Sequence, residues 1–334
     1  MSHASVPLFI PHLACKNDCV FCNQKRIAGT ISAPSDPYGF FSAALKDIPH
    51  RFNEVDLAFF GGSFTGLDAK DMIFYLDAAR RIKNENPAVT GIRLSTRPDY
   101  INTEILDILK SYGVTTIELG AQSMSDEVLK LSNRGHTSKD TEKATELIKK
   151  YGFELVLQFM PGLPGDTEET SIQTAEKIAA LKPDAVRIYP CVVIKDTELE
   201  SAYYDGDFNP LSVEQAVELC AKMVYIFEKS KIKIIRLGLH SSDLVKTQSV
   251  VAGPFHPAFG ELVSQRIFYL NAEKMFSNNP PTSNSIIYVA PGCISKMVGR
   301  KRINIINLNK KFGVMFCVKE KPYLKQYELE RGPQ

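Results

Sequence analysis

Short apolar runs alternate with amphipathic stretches along the first 240 residues. Runs at 6–11, 55–60, 91–96, 114–119, 153–160, 185–194 and 232–239 read as buried strands. Between them, helices are expected at 68–83, 103–112, 139–151, up to 181, and 212–229. In the second of these, Ile105, Leu106, Ile108, Leu109 and Tyr112 recur at helical spacing, and Gly113 is the expected left-handed stop. Asp166 and Glu169 read as a capping box for the helix ending at 181. Strand and helix in regular alternation predict parallel strands joined by crossover helices. Glycines and polar residues close almost every strand, which predicts a partial (β/α)6-type TIM-like barrel of the α/β class, with its site at those ends.

Beyond residue 240 the pattern changes. A Gly- and Pro-rich loop at 250–262 leads into a helix at 258–277, and a polar link covers 277–284. Three parts are expected: a barrel at 1–240, a covering extension and link at 241–284, and a small basic α/β module at 285–334. In that module, strand 285–290, helix 293–298, a turn at Gly299-Arg300-Lys301-Arg302, helix 303–311 and strand 314–318 resemble the core of a KH module, with Arg302 at the second glycine of the Gly-x-x-Gly loop. His240 and His256 are acid-base candidates, although a lone histidine more often packs or hydrogen-bonds.

Charge sharpens this division. The net charge is +2, but from Pro291 onward ten Lys and Arg face three Glu, giving +7 there and −5 in the remainder. Such asymmetry suits an anionic partner for the tail, with RNA at 296–302 the candidate, although a solvated basic face is the commoner explanation of any one cluster and a small α/β cap on the barrel is the alternative for the module. With 44% hydrophobic and 23% charged residues the chain reads as an ordinary globular protein. The absence of a long apolar run and of a signal-like start places the expectation in the cytoplasm, with no membrane. Seven scattered cysteines do not read as a secreted disulfide framework. Cys191, Cys220, Cys293 and Cys317 fall in or beside apolar runs and read as buried hydrophobes.

The remaining three carry the chemistry. Cys15, Cys19 and Cys22 stand at C-x3-C-x2-C, with Phe21 before the last. Structural zinc wants four ligands and an ordinary iron-sulfur carrier four cysteines. A cubane held by three leaves one iron open to another ligand. A zinc site completed by His12 or a distant cysteine, or unrelated buried thiols, are the alternatives.

This loop resembles that of the radical S-adenosylmethionine enzymes. The resemblance implies a [4Fe-4S] cluster whose open iron chelates S-adenosylmethionine and cleaves it to a 5'-deoxyadenosyl radical that abstracts hydrogen. Gly62-Ser63-Phe64-Thr65, Thr96-Arg97-Pro98-Asp99-Tyr100 and the run Arg187 to Leu199 resemble the radical domain of the Elongator catalytic subunit, over roughly 6–240. Arg134-Gly135-His136-Thr137 and Gly162-Leu163-Pro164-Gly165 are similar also to the coproporphyrinogen oxidases. By position, the resemblance implies Cys15, Cys19 and Cys22 as iron ligands and Phe9 and Phe21 near the cluster or adenine. Gly61, Gly62 and Ser63 would take the methionine end, Gln122, Arg134 and Gln158 ribose and carboxylate, and Val193 the adenine edge. Ser95 stands where these families carry a ribose-binding Glu. Nothing after 240 resembles the acetyltransferase domain of the Elongator subunit.

The leading expectation is therefore a radical enzyme acting on RNA, fed by an electron donor such as a flavodoxin or ferredoxin. Radical chemistry on a small metabolite and a non-catalytic, metal-stabilised RNA-binding protein are the alternatives. No catalytic side chain is assigned from the sequence.

Overall fold

The structure is a computed structural model that describes residues 3–10, 15, 18–23, 33–49, 51–239 and 249–332. His12 and His240 lie outside the described residues, as do 241–248 of the expected covering extension. Contacts divide the chain into two compact units, Met1–Ala216 with Met223–Pro257, and Val217–Lys222 with Ala258–Gln334. The division near 257 thus differs from the expected link at 277–284, and the first unit alone corresponds to the expected barrel.

The first unit is built on one parallel sheet of seven strands. Its strands are β1 (His3–Ile10), β2 (Glu54–Gly61), β3 (Val89–Thr96), β4 (Thr116–Gln122), β5 (Glu154–Phe159), β6 (Ala185–Ile188) and, beyond a short ribbon strand, β8 (Lys233–Leu237). Each pairs in parallel with the one before it in the sheet, which curls into a half-barrel. The crossovers are helices α1 (Pro37–Lys46), α2 (Ala69–Glu85), α3 (Thr103–Ser111), α4 (Asp126–Leu131), α5 (Ser138–Lys150), α6 (Glu168–Ala180), α7 (Glu198–Asp205) and α8 (Val213–Lys229). Leu57, Phe59, Ile92, Leu94, Ile117 and Leu119 are fully buried. On β2, β3 and β4 they alternate with Asp56, Arg93 and Glu118. Period-two alternation puts the two sets on opposite faces of the sheet.

Three local expectations are corrected. The expected strand 185–194 breaks after Ile188, because Pro190 has no N–H for a ladder. The chain resumes as β7 (Val193–Ile194), antiparallel to β9 (Val250–Ala252) in a two-stranded ribbon. The cap of α6 is Thr167, in a reciprocal box with Thr170, and not Asp166. Asp166 instead accepts from the Gly162 amide at 2.9 Å and the Ser171 hydroxyl at 2.5 Å, bracing the preceding turn. The short helices α4 and α7 were not anticipated.

The second unit has its own core. Helix α9 (Phe259–Asn278) contributes Phe268, Ala272 and Phe276, which pack with Ile287 and Val289 of β10 (Ser285–Val289). The same core takes Met297 of α10 (Ile294–Val298), Ile305 and Leu308 of α11 (Ile303–Phe312) and Phe316 of β11 (Phe316–Glu320). β10 is central, parallel to β11 and antiparallel to β12 (Leu329–Arg331). This explains the division near 257: the helix expected to belong to the covering extension is a wall of the second core. At the turn, Gly299, Lys301 and Arg302 all have positive φ, of 77°, 50° and 61°. Two consecutive non-glycine residues there are held by Asn304, whose amide donates to Gln265 O at 2.8 Å and Lys296 O at 3.4 Å. The Arg300 amide donates to Gln265 Oε1 at 3.0 Å.

Candidate active site

The cysteine loop is fixed by backbone more than by packing. The Val20 amide donates to Ser132 O at 3.3 Å, and Val20 O accepts from the Leu199 amide at 2.8 Å. Asn133, at a positive φ of 50°, sends its side-chain amide to Asp18 O at 2.8 Å. Asn23 donates to Lys195 O and Asp196 O at 3.3 and 3.1 Å. Cys19, Val20 and Phe21 are buried among Val128, Leu163, Cys191, Val193 and Leu199.

So held, Cys15, Cys19 and Cys22 open onto one cavity at the C-terminal ends of the strands. Phe21 lines it from the loop. Gly61, Gly62 and Ser63 line it after β2, Ser95 from β3, and Gln122 and Gln158 from β4 and β5. Arg134 reaches it from the loop between α4 and α5.

Close approach governs this surface. Gly61 has φ of 101°, and a Cβ there would lie 2.8 Å from Ile10 O. The Gly62 amide donates to the same carbonyl at 2.7 Å, closing β2 against β1. A Cβ on Gly120 would fall 2.6 Å from Gln122 Nε2 and 2.8 Å from Arg134 Nη2. Arg134 therefore lies flat on the strand, its Nη2 donating to Gly120 O at 2.9 Å and its Nη1 to Cys19 Sγ at 3.4 Å. Gln158 donates to Gln122 Oε1 at 3.0 Å, and Cys15 Sγ and Ser63 Oγ are 3.5 Å apart.

Two of the thirteen expected site residues lie elsewhere. Val193 is fully buried in the cluster behind the cysteine loop, while its neighbours Val192 and Ile194 line the cavity. Side chains alternate along a strand, so the one expected was the one that points away. Phe9 sits on β1 in register with Phe60, outside the cavity lining. His256 does not line it either. Sequence reasoning missed Thr96, Met160, Tyr189 and Leu239, which also line the cavity. Their signal was position alone, at or just past the end of a strand.

Below the cavity runs a buried ladder of charge. Arg93 Nε donates to Asp56 Oδ2 at 2.9 Å, and Arg93 Nη1 to Glu118 Oε1 at 3.0 Å. Glu118 Oε2 lies 2.8 Å from Arg187 Nε, and Arg187 Nη1 donates to the Tyr189 hydroxyl at 3.2 Å. Burial disfavours the charge on Arg187, but Glu118 and Tyr189 outweigh it and hold the guanidinium above its ordinary pKa. The ladder thus ends on a cavity-lining phenol. His136 is buried beside Arg134. Burial first, and then the Arg134 charge, lower its pKa to about 4, so the ring is neutral near pH 7.

The donor set suits a cluster better than a single ion. Among the described residues, no three His, Cys, Asp or Glu side chains are close enough to share one metal ion. Three thiols nonetheless face a common cavity, with room for a larger group and glycine surfaces for a ligand to approach. Arg134 Nε is buried with no hydrogen-bond partner among the described residues.

Comparison with known proteins agrees with this geometry. Residues 9–178 match the Radical SAM superfamily and 183–268 the Radical_SAM C-terminal domain. A tRNA uridine(34) acetyltransferase of Methanocaldococcus jannaschii is 31% identical over 238 residues, 66% of this chain and 43% of that protein. Elongator complex protein 3 of Homo sapiens is 29% identical over 199 residues, 54% of this chain and 36% of that protein. The chain thus spans less than half the length of these relatives. The solved archaeal Methanocaldococcus infernus Elp3, with an N-terminal deletion, superposes with a TM-score of 0.64 at 26% identity, covering 82% of this chain and 63% of that one. The chain belongs to the radical SAM superfamily, enzymes that hold a [4Fe-4S] cluster and S-adenosylmethionine.

Proposed function

We propose that this enzyme modifies RNA, abstracting hydrogen from a nucleotide of a tRNA-like substrate at the open end of the half-barrel. The observation that carries the reading is the convergence of Cys15, Cys19 and Cys22 with the strand ends on one cavity. The bound cluster and cofactor supply a 5'-deoxyadenosyl radical. The chain's own residues bind and orient. Cys15, Cys19 and Cys22 hold the iron, and Phe21 shields it. Gly61, Gly62 and Ser63 receive the methionine end of S-adenosylmethionine through backbone and hydroxyl. Arg134, whose side chain lines the cavity, would offer its positive charge to the carboxylate, while Ser95, Gln122 and Gln158 serve the ribose. The backbone at 192–194 meets the adenine edge.

RNA is favoured over a metabolite by the named activity of the tRNA-modifying relatives, whose match runs through the barrel. The second unit supports it. Its basic turn, Arg300, Lys301 and Arg302, is braced by Asn304, and the exposed Ile303 and Ile306 stand beside it. A rigid cationic turn next to apolar side chains suits a KH-like grip on backbone and bases of a single strand. A flavodoxin or ferredoxin would supply the electron, in the cytoplasm.

The test is anaerobic reconstitution followed by 5'-deoxyadenosine release with and without bulk tRNA, and mass spectrometry of the digested nucleosides. Release stimulated by tRNA, with a new nucleoside mass, is the expected result. A cluster that cleaves the cofactor and ignores RNA overturns the substrate assignment.

A further inference from the structure

Among the described residues Arg134 makes two side-chain hydrogen bonds, and they tie one strand end to the cysteine loop. It is 8% exposed, in the loop between α4 and α5. A guanidinium held so far from water must direct its donors at acceptors, because burial without partners is costly. Nη2 donates to Gly120 O of β4 at 2.9 Å, and Nη1 donates to Cys19 Sγ at 3.4 Å. One planar, rigid group thus bridges a carbonyl and a sulfur.

Both ends of that bridge are fixed. At the strand, a Cβ on Gly120 would fall 2.8 Å from Nη2, so the bare backbone there is what lets the guanidinium lie down. At the loop, Asn133 donates to Asp18 O at 2.8 Å and the Val20 amide to Ser132 O at 3.3 Å. The residues on either side of Cys19 are therefore tied to the residues just before Arg134. Cys19 and Arg134 line the same cavity. Cys15 is placed differently, with the neutral Ser63 hydroxyl 3.5 Å from its sulfur. A charged donor on Cys19 and a hydroxyl beside Cys15 make the thiol set electrically unequal.

We propose that Arg134 raises the reduction potential of the cluster through its N–H···S hydrogen bond to Cys19. The inference rests on Cys19 being an iron ligand. Reduction adds one electron to the iron and its thiolates, and a charge-assisted donor fixed on one thiolate favours that added negative charge. The electron comes from the external one-electron donor. Arg134 itself forms and breaks no covalent bond.

The experiment is a potentiometric titration of the reconstituted full chain, without S-adenosylmethionine, read by the paramagnetic signal of the reduced cluster. Arg134→Met removes donor and charge and keeps most of the volume. The reduced-to-oxidised ratio at fixed potential is expected to fall about tenfold, about 59 mV for a one-electron couple. Arg134→Lys keeps the charge, but a single ammonium lacks the second arm that seats the guanidinium on Gly120 O, so the ratio is expected to fall there too, by at most as much. In D2O, pulsed paramagnetic resonance of the wild type should show an exchangeable hydrogen coupled to the cluster that Arg134→Met lacks. A wild-type ratio in either variant, or an unchanged deuterium coupling in Arg134→Met, overturns the proposal. If Arg134→Met retains no iron, Arg134→Lys decides alone, and loss of iron from both makes the residue structural and overturns it as well. A wild-type chain that binds no iron would instead sink the ligand assignment beneath it.

Discussion

Arg187 and Glu118, 69 positions apart, meet in the barrel interior with Nε 2.8 Å from Oε2. Glu118 also holds Arg93, which would keep Asp56, so its loss would strand the buried Arg187 guanidinium and loosen Arg93. Glu118→Gln is expected to cost about 3–5 kcal/mol in denaturant unfolding, the usual penalty of an uncompensated buried charge. Glu118→Gln with Arg187→Met should recover part of that loss, a coupling that a double-mutant cycle measures.

His136 makes the metal-free protein acid-sensitive in a defined window. Its ring takes up a proton more readily in the unfolded chain, near the ordinary 6.5, than in the fold, where its pKa is about 4. The unfolded state therefore binds the extra proton first as pH falls. Stability should drop by about 3 kcal/mol between pH 6.5 and 4 on this account, and level off below. His136→Gln should flatten that part of a stability-against-pH curve measured by urea unfolding.

Alkylation should sort the cysteines. Cys15 and Cys22 are partly exposed, whereas Cys191 and Cys220 are buried; Cys317, expected to be buried, is exposed at its position in β11. Burial pushes the Cys191 thiol up to about 12 and raises that of Cys220 as well, so neither presents thiolate near neutral pH. Iodoacetamide mapped by mass spectrometry should mark Cys15, Cys22 and Cys317 in the native metal-free chain. Iron loading should then protect Cys15 and Cys22 and leave Cys317 reactive. Substituting Cys15, Cys19 or Cys22 by Ala should abolish iron retention, while Cys220→Ala should preserve it.

Asn304→Ala removes the brace beneath the basic turn without touching its charge. Lost side-chain hydrogen bonds at a buried site cost about 1 kcal/mol or more. RNA affinity in a gel-shift assay should weaken about tenfold, equivalent to about 1.4 kcal/mol. Cofactor cleavage in the absence of RNA should be unaltered.

The barrel was legible because each strand is a dense apolar run and the crossovers over 69–85, 103–111, 138–150, 168–180 and 213–229 have helical spacing, whereas α1 (Pro37–Lys46) was not anticipated. The Val114–Leu119 run and Gly113, for example, correctly marked β4 and the stop before it, where φ is 76°. Short elements were not legible: α4 has six residues and β12 three, too few for a period to emerge. The cavity was largely legible, since eleven of the thirteen expected site residues line it. Val193 shows the limit, because a one-residue error on a strand turns a side chain to the other face. The charge ladder could not be read at all. Asp56, Arg93, Glu118 and Arg187 are ordinary charged residues in four separate runs, and only the sheet register makes them neighbours.

The anchors of the cysteine loop carry a consequence for the timing of assembly. The sheet can be laid down strand by strand from the N-terminus, since every strand pairs with its predecessor. The loop follows another schedule. Its cysteines lie at 15–22, but groups that grip it among the described residues, Ser132, Asn133 and Leu199, come more than a hundred positions later. A chain cut before Leu199 would keep the three thiols and lose part of the frame that aims them. Weaker iron retention in such a truncated product than in the full chain is the expected consequence.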